Sequence, residues 1–218
     1  MSKKQKEKSS VSQDELDSKK EHAEKRYLVS TFFVALLIGL AYQEMVAPVR
    51  ETVRASGVTF STFALVAIFF FVSVRFFIGN QLHLLSGGLA KLPGLVWLYD
   101  LMVIIIQCVV LVFMGGDSTV TQNQNAAIDF VDLLVTLYVI DVIWIISQWI
   151  LGKIIPKWKR GFLPWGWGAL NAVLVIFVFA LKFIVGDIYS TTGLAWLLGL
   201  NFIAFLVDVV LVDYYDAI

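Results

Sequence analysis

The chain has 218 residues, of which 59% are hydrophobic and 16% are charged, and its mean hydropathy is +0.80. Soluble domains are nearer half apolar and a quarter charged, so this composition excludes an ordinary soluble domain and indicates a membrane protein. The formal net charge is zero, yet eight of the 17 basic and six of the 17 acidic residues lie before position 27, so the sequence predicts a charged tail, 1–26, ahead of a membrane domain, 27–218.

The tail is predicted to form a solvated helix that leads into the first membrane span. Ser12 and Glu15 have the spacing of a capping box, and Glu21 precedes Lys25 by four residues, the favourable order for an ion pair. The tail has no apolar core beside its lysines, which argues against a cleaved signal peptide. Two interpretations remain open: a charged anchor that fixes topology, or a docking site for a cytosolic protein partner or anionic lipid.

Six segments are apolar enough to cross a bilayer, which takes roughly 20 residues of helix. The predicted spans are 27–47, 59–79, 94–114, 129–152, 163–185 and 192–213. Pro48 is expected to end the first span, Gly79 the second and Gly115 the third, and Pro164 suits the first turn of the fifth. The sequence therefore predicts an all-α fold: a polytopic membrane helical bundle with six transmembrane helices.

The orientation follows from the positive charges of the short loops, because such segments resist translocation. With a cytoplasmic N-terminus, the inner segments hold 13 Lys and Arg residues and the outer segments hold only Arg50 and Arg54. Both termini are therefore predicted to be cytoplasmic, in a bacterial inner membrane or a plasma membrane. Five tryptophans are expected at the cytoplasmic boundary as interfacial anchors: Trp97, Trp149, Trp158, Trp165 and Trp167.

Several spans carry polar residues, which cost about 2.5 kcal/mol or more when charged and usually face the bundle interior. Residues seven or eleven apart share a helix face, which gives one polar stripe each to the third, fifth and sixth helices. These stripes are Asp100 with Gln107, Asn171 with Lys182, and Asn201 with Asp208. A common polar layer is therefore predicted from Asp141, Gln107, Asn171 and Asn201.

The fourth helix carries two acids, Asp132 and Asp141, that are nine residues apart and so about 180° out of phase. Either this helix lies at the centre of the bundle, or one acid faces a second subunit. For Asp141 two interpretations stay open: ordinary inter-helix hydrogen bonding to Gln107, Asn171 or Asn201, or a role in ion or proton passage.

Charge and depth predict two ion pairs. Arg75 should pair with Asp100 or Asp208 at the cytoplasmic end, and Lys182 with Asp132 at the outer end. Such pairs can simply lock helix packing, so they do not by themselves indicate a function.

The sequence contains none of the motifs that would indicate catalysis, a phosphate loop or a metal site. Its one cysteine, Cys108, lies in an apolar run and cannot form an internal disulfide. We therefore expect no enzyme activity, no cofactor, no metal and no nucleic-acid partner. The basic loop that follows the fourth span is a candidate partner-binding segment, through Lys153, Lys157, Lys159 and Arg160.

Two functional hypotheses follow. The first is a small transport or channel-type protein with a polar path at mid-membrane, which would oligomerise through the second face of the fourth helix. The second is a non-conducting membrane sensor, anchor or effector subunit that acts with a cytosolic partner through the tail and the basic loops.

Overall fold

The computed structural model describes residues 13–85, 94–117, 124–155 and 165–210. They form six helices: α1 Gln13–Ser56, α2 Phe60–Leu85, α3 Gly94–Gly116, α4 Gln124–Ile154, α5 Trp165–Val185 and α6 Thr191–Val210. Each contains a stretch long and apolar enough to cross a membrane. The described residues are thus an all-helical bundle, and the chain is a multi-pass membrane protein that contacts the lipid bilayer.

The helices pack in a closed circuit that differs from chain order. α1 packs against α2 and α3, α3 against α4, α4 against α5, α5 against α6, and α6 against α2. Helices that follow one another in the chain run antiparallel, while the pairs α1–α3 and α2–α6 are parallel. As a result α1 begins, and the described part of α6 ends, at the same end of the bundle, which we call the proximal end; the opposite end is distal.

The distal half of the bundle is filled with apolar side chains. Leu65 and Phe69 of α2, Leu134 of α4, and Leu194 and Leu197 of α6 are completely buried in one continuous cluster. Lipid tails are as apolar as these side chains, so removal of the side chains from lipid gives no hydrophobic driving force. The cluster stabilises helix association through van der Waals packing instead.

Three glycines allow the helices to approach closely. A Cβ atom at Gly115 of α3 would collide with the carbonyl oxygen of Ala41 in α1, and one at Gly168 of α5 would lie 2.5 Å from the Ile145 side chain of α4. A Cβ atom at Gly79 of α2 would lie 2.7 Å from the indole ring of Trp167 in α5. These contacts bring α5 within side-chain reach of both α2 and α4.

The prediction of six apolar helices of membrane-crossing length is confirmed, but two predicted helix ends are wrong. Pro48 lies inside α1, which continues to Ser56. A proline removes one backbone hydrogen bond, and Thr52, buried beyond it, helps to hold the last turns against the bundle. Gly79 does not end α2 either, since the ring of Trp167 packs against it and the helix continues to Leu85.

The other predicted boundaries agree more closely. α3 ends at Gly116, next to the predicted Gly115, whereas Pro164 and the last three residues of the predicted sixth span lie outside the described residues. No helix end separates the tail from the first span, because α1 is continuous from Gln13. The predicted pair of Glu21 and Lys25 is formed, with 2.6 Å between Oε1 and Nζ.

Candidate functional site

Asp141 lies near the middle of the apolar stretch of α4 and is 3% exposed. Its Oδ1 atom accepts a hydrogen bond from Gln107 Nε2 of α3 at 2.5 Å. Its Oδ2 atom accepts two bonds from α5, from Trp167 Nε1 and from Asn171 Nδ2, each at 2.7 Å. All three donors are neutral, and no described Lys or Arg side chain contacts the carboxylate directly.

Arg75 of α2 is the buried cation nearest to this carboxylate. Its side chain is fully buried and forms an ion pair through Nε with Asp208 of α6. Its Nη2 atom donates to Asn171 Oδ1 at 3.3 Å, so the Asn171 amide connects the guanidinium to Asp141. The guanidinium also lies over two aromatic rings, 5.4 Å from the centroid of Trp167 and 5.8 Å from that of Tyr138.

Tyr138 and Asn201 close the distal side of this arrangement. The Tyr138 hydroxyl of α4 donates to Asn201 Oδ1 of α6. Asn201 Nδ2 in turn donates to the Leu197 carbonyl oxygen of its own helix at 2.8 Å. Beyond this contact, toward the distal end, the buried cluster is apolar.

Together these residues form one hydrogen-bonded and stacked set across the bundle, which we call the central polar layer. It consists of Arg75, Gln107, Tyr138, Asp141, Trp167, Asn171, Asn201 and Asp208, contributed by α2 to α6. Among the described residues, α1 supplies no member. In a medium of low dielectric constant, such dense hydrogen bonding is what makes buried charges tolerable.

A second polar cluster lies two turns nearer the proximal end, between α3 and α4. The Asp100 Oδ1 atom accepts from Trp144 Nε1 and from Gln148 Nε2, each at 2.9 Å. Beside it the Tyr99 hydroxyl donates to Ser147 Oγ at 2.6 Å. Asp100 and Gln107 do share a face of α3, as predicted, but the two contact different residues of α4.

Of the two acids predicted as the partner of Arg75, the structure shows the second. Arg75 pairs with Asp208, and the alternative of Asp100 is wrong. The reason is helix order: α2 packs mainly against α6 and α1, whereas α3 packs against α4, where Trp144 and Gln148 reach Asp100.

The second predicted pair is formed on the surface of the bundle. Lys182 Nζ of α5 lies 2.7 Å from Asp132 Oδ1 of α4, and the two side chains are 33% and 56% exposed. The prediction that Lys182 belongs to an inward stripe with Asn171 is therefore wrong. The two acids of α4 divide as their phase requires, since Asp141 points inward and Asp132 outward.

The predicted polar path is only partly a single contact network. Gln107 and Asn171 bind Asp141 directly, but Asn201 reaches the layer through Tyr138 instead. In the basic loop Lys153 is exposed, with Nζ 5.9 Å from the Trp149 ring. The rest of that predicted partner-binding set, Lys157, Lys159 and Arg160, lies outside the described residues.

Trp167 is the functional candidate that the sequence analysis placed wrongly. It was expected to be an interfacial anchor, yet its indole points into the layer and donates to Asp141. The signal for this position was its spacing, because Trp167 lies one turn before Asn171 on the same helix face. By the same spacing Tyr138 and Trp144, three residues on either side of Asp141, are predicted to share its face of α4, and both have buried hydrogen bonds in the structure.

Comparison with known proteins gives no relative: no protein-family model, no curated protein and no solved structure matches this chain.

Proposed function

We propose that this protein is a small transport or channel-type membrane protein, and that the central polar layer is its ion-handling site. The observation that supports this most is Asp141, a carboxyl group buried near the middle of a membrane-length helix and contacted only by neutral donors. Ionisable groups at such depth are costly, and in membrane proteins they often mark an ion pathway or a proton relay.

The polar residues supply the proximal half of a route. Asp100 with its partners, and then Asp141 with its partners, follow one another along the α3–α4 contact, about 10 Å apart along the helix axis. The described residues of the distal half form no comparable polar set, and its core is mainly apolar, with the buried hydroxyls of Thr52 and Thr62 near its end. On this proposal the structure represents a conformation closed on the distal side, and transport requires that half to open.

The remaining elements of the proposal come from the sequence. The distribution of Lys and Arg favours a cytoplasmic proximal end, and the membrane proposed is a bacterial inner membrane or a plasma membrane. Assembly into a homo-oligomer would use the exposed face of α4, where Ile143, Ile146 and Ile150 point away from the bundle. The proposed activity is passage of an ion and not catalysis.

Ion flux into proteoliposomes tests the proposal with two identical substitutions on one helix. Asp141→Asn removes the ionisable group from the layer and should lower flux about tenfold or more, which corresponds to about 1.4 kcal/mol in the barrier. Asp132→Asn, on the exposed face of the same helix, is the matched control and should leave flux within about twofold of the wild type. Equal flux in all three proteins would contradict the proposal.

A second function, a non-conducting membrane sensor, anchor or effector subunit, is favoured by the closed apolar core of the distal half. Its cytosolic partner would bind the N-terminal tail and the basic loop. Replacing Lys157, Lys159 and Arg160 together by Ala in the full chain should then abolish co-purification of a cytosolic protein. Under the transport proposal the same variant should retain its flux.

A further inference from the structure

The two carboxylate oxygens of Asp141 differ in whether the orientation of their hydrogen-bond partners is fixed. Oδ2 faces the Trp167 indole N–H, a group that can only donate a hydrogen bond. Its other partner, Asn171, is also fixed, because the Asn171 Oδ1 atom faces Arg75, which has only donors. The Asn171 Nδ2 group must therefore point at Asp141, so Oδ2 is always an acceptor.

Oδ1 has one partner, the Gln107 amide, and the orientation of this amide is not fixed by any other group. The bond to Asp141 is the one hydrogen bond of the Gln107 side chain among the described contacts. The two ends of an amide are exchangeable by a 180° rotation, so either Nε2 or Oε1 can face the carboxyl group.

We propose that Asp141 Oδ1 is an exchangeable proton site, and that the Gln107 amide reverses when the proton binds. In the ionised state Gln107 Nε2 donates to Oδ1. In the protonated state the new O–H bond at Oδ1 donates to Gln107 Oε1, while Trp167 and Asn171 continue to donate to Oδ2. The inference rests on the proposed function, because it names the ion that the layer handles as a proton supplied by water from the proximal side.

The donor set favours a proton over a metal cation. Hard cations such as Mg²⁺ and Ca²⁺ bind oxygen ligands, whereas the indole and amide N–H groups of Trp167 and Asn171 direct hydrogens at Asp141 Oδ2. A proton needs only one acceptor, and Gln107 Oε1 can supply it.

The charged neighbours of Asp141 leave room for one proton. Arg75 of α2 is paired with Asp208 of α6 and meets Asp141 only through Asn171. With both carboxyl groups ionised, these three side chains carry a formal charge of −1, and one bound proton makes them neutral.

The other titratable or charged groups on the helices packed against α4 have contacts of their own. On α3, Asp100 lies two turns away and binds Trp144 and Gln148, Tyr99 binds Ser147, and Cys108 packs in an apolar cluster with Val34. On α5, Lys182 is paired with Asp132 at the surface, and on α4 itself the Tyr138 hydroxyl binds Asn201.

Infrared difference spectroscopy of the full chain in proteoliposomes, recorded between two pH values, tests this site. A protonated carboxyl group has a C=O stretching band that a carboxylate lacks. We expect such a band in the wild type, its appearance with falling pH, and its loss in Asp141→Asn but not in Asp208→Asn. Gln107→Leu should shift the band, because the acceptor of the new O–H group is removed.

Gln148→Leu is the matched control, since Gln148 is a buried glutamine of similar exposure that binds Asp100 instead. Its band should not move. The site is wrong if the band is absent, if it does not depend on pH, or if Asp208→Asn removes it. Should Asp141→Asn fail to fold, the contrast between Gln107→Leu and Gln148→Leu still decides.

The spectroscopic result is independent of flux. A pH-dependent Asp141 band in a protein that conducts no ion would contradict the proposed function and retain the proton site. Flux that persists without such a band would do the reverse.

Discussion

Two aspartates on α4, nine residues apart, have opposite surroundings. Asp141 is buried and receives hydrogen bonds from α3 and α5, while Asp132 is 56% exposed and has a surface ion pair with Lys182. The residue type and the helix are the same, so the difference arises from the neighbours. It teaches that Asp141 is held inside the bundle by neutral donors from two helices, whereas Asp132 at the surface has a single lysine as its partner.

The largest loss of stability is expected when Arg75, the buried cation of the central polar layer, is replaced. Arg75→Ala leaves the Asp208 carboxylate buried without its guanidinium, and breaking a buried pair in this way typically costs about 3–5 kcal/mol. A double-mutant cycle on thermal unfolding in detergent would measure the pair. Coupling should be clear between Arg75→Ala and Asp208→Asn and near zero with Asp100→Asn. The reverse pattern would show that the helix order described above is wrong.

Truncation to Ala should cost more stability at Asp141 than at Asp132. Asp141→Ala removes the acceptor of the buried Gln107 and Asn171 amides and of the half-buried Trp167 indole, and we expect a loss of about 3 kcal/mol once the neighbours have relaxed. Asp132→Ala removes an exposed pair and should cost about 0.5 kcal/mol. Unfolding temperatures of the two variants, measured side by side, would check this. Equal destabilisation would show that burial of Asp141 makes no difference to its contribution to stability.

The absence of a side chain at Gly79 makes space for the Trp167 ring. Two glycine substitutions, one at Gly79 and one at Gly39 as the control, test how much this space contributes to stability. Gly79→Ala introduces a Cβ atom 2.7 Å from the Trp167 ring and should cost about 1–3 kcal/mol, because the indole that binds Asp141 must shift. Gly39→Ala meets no atom within 4 Å and should be neutral or slightly stabilising. A shift in tryptophan fluorescence is expected for Gly79→Ala alone.

An isosteric change at the inner acid should have a smaller effect on stability than truncation does. In Asp141→Asn the amide oxygen can accept from Trp167 and Asn171, and the amide nitrogen can donate to Gln107 Oε1. We expect a loss of about 1 kcal/mol or less, in contrast to Asp141→Ala. If the unfolding temperature of Asp141→Asn is as low as that of Asp141→Ala, the negative charge itself holds the layer together.

The smallest effect is expected at the surface pair. Lys182→Ala should change stability by less than about 1 kcal/mol, and this change should shrink at high salt because exposed charges are screened. Unfolding measured at low and high ionic strength checks both points. A large loss that does not depend on salt would place Lys182 inside the bundle.

The sequence was sufficient for the number of apolar helices and for some of their shared faces, although the same reasoning placed Lys182 on an inward stripe with Asn171. Six apolar stretches of about 20 residues predict six spans, and the seven-residue spacing of Asp100 and Gln107 predicts their common face. The 180° offset of Asp132 and Asp141 also predicted that they could not face the same neighbour.

What the sequence could not give depends on which helices touch. The choice between Asp100 and Asp208 as the partner of Arg75 requires the packing of α2 against α6, which no local pattern contains. For Trp167 the spacing to Asn171 was a local signal, but the space for its ring beside Gly79 depends on how α5 lies against α2. Pro48 shows that packing on both sides of a residue can override a local helix-breaking signal.

The uninterrupted α1 has a mechanical consequence. Its 44 residues make a helix about 66 Å long that begins in the charged segment and runs along α2 and α3 at the side of the bundle. The helix is continuous from Arg26 to Ala41, whose carbonyl oxygen lies against Gly115, so a rotation of the tail about the helix axis would act on this contact. A protein that gripped the tail would thereby turn the first span against α3, the helix that carries Gln107.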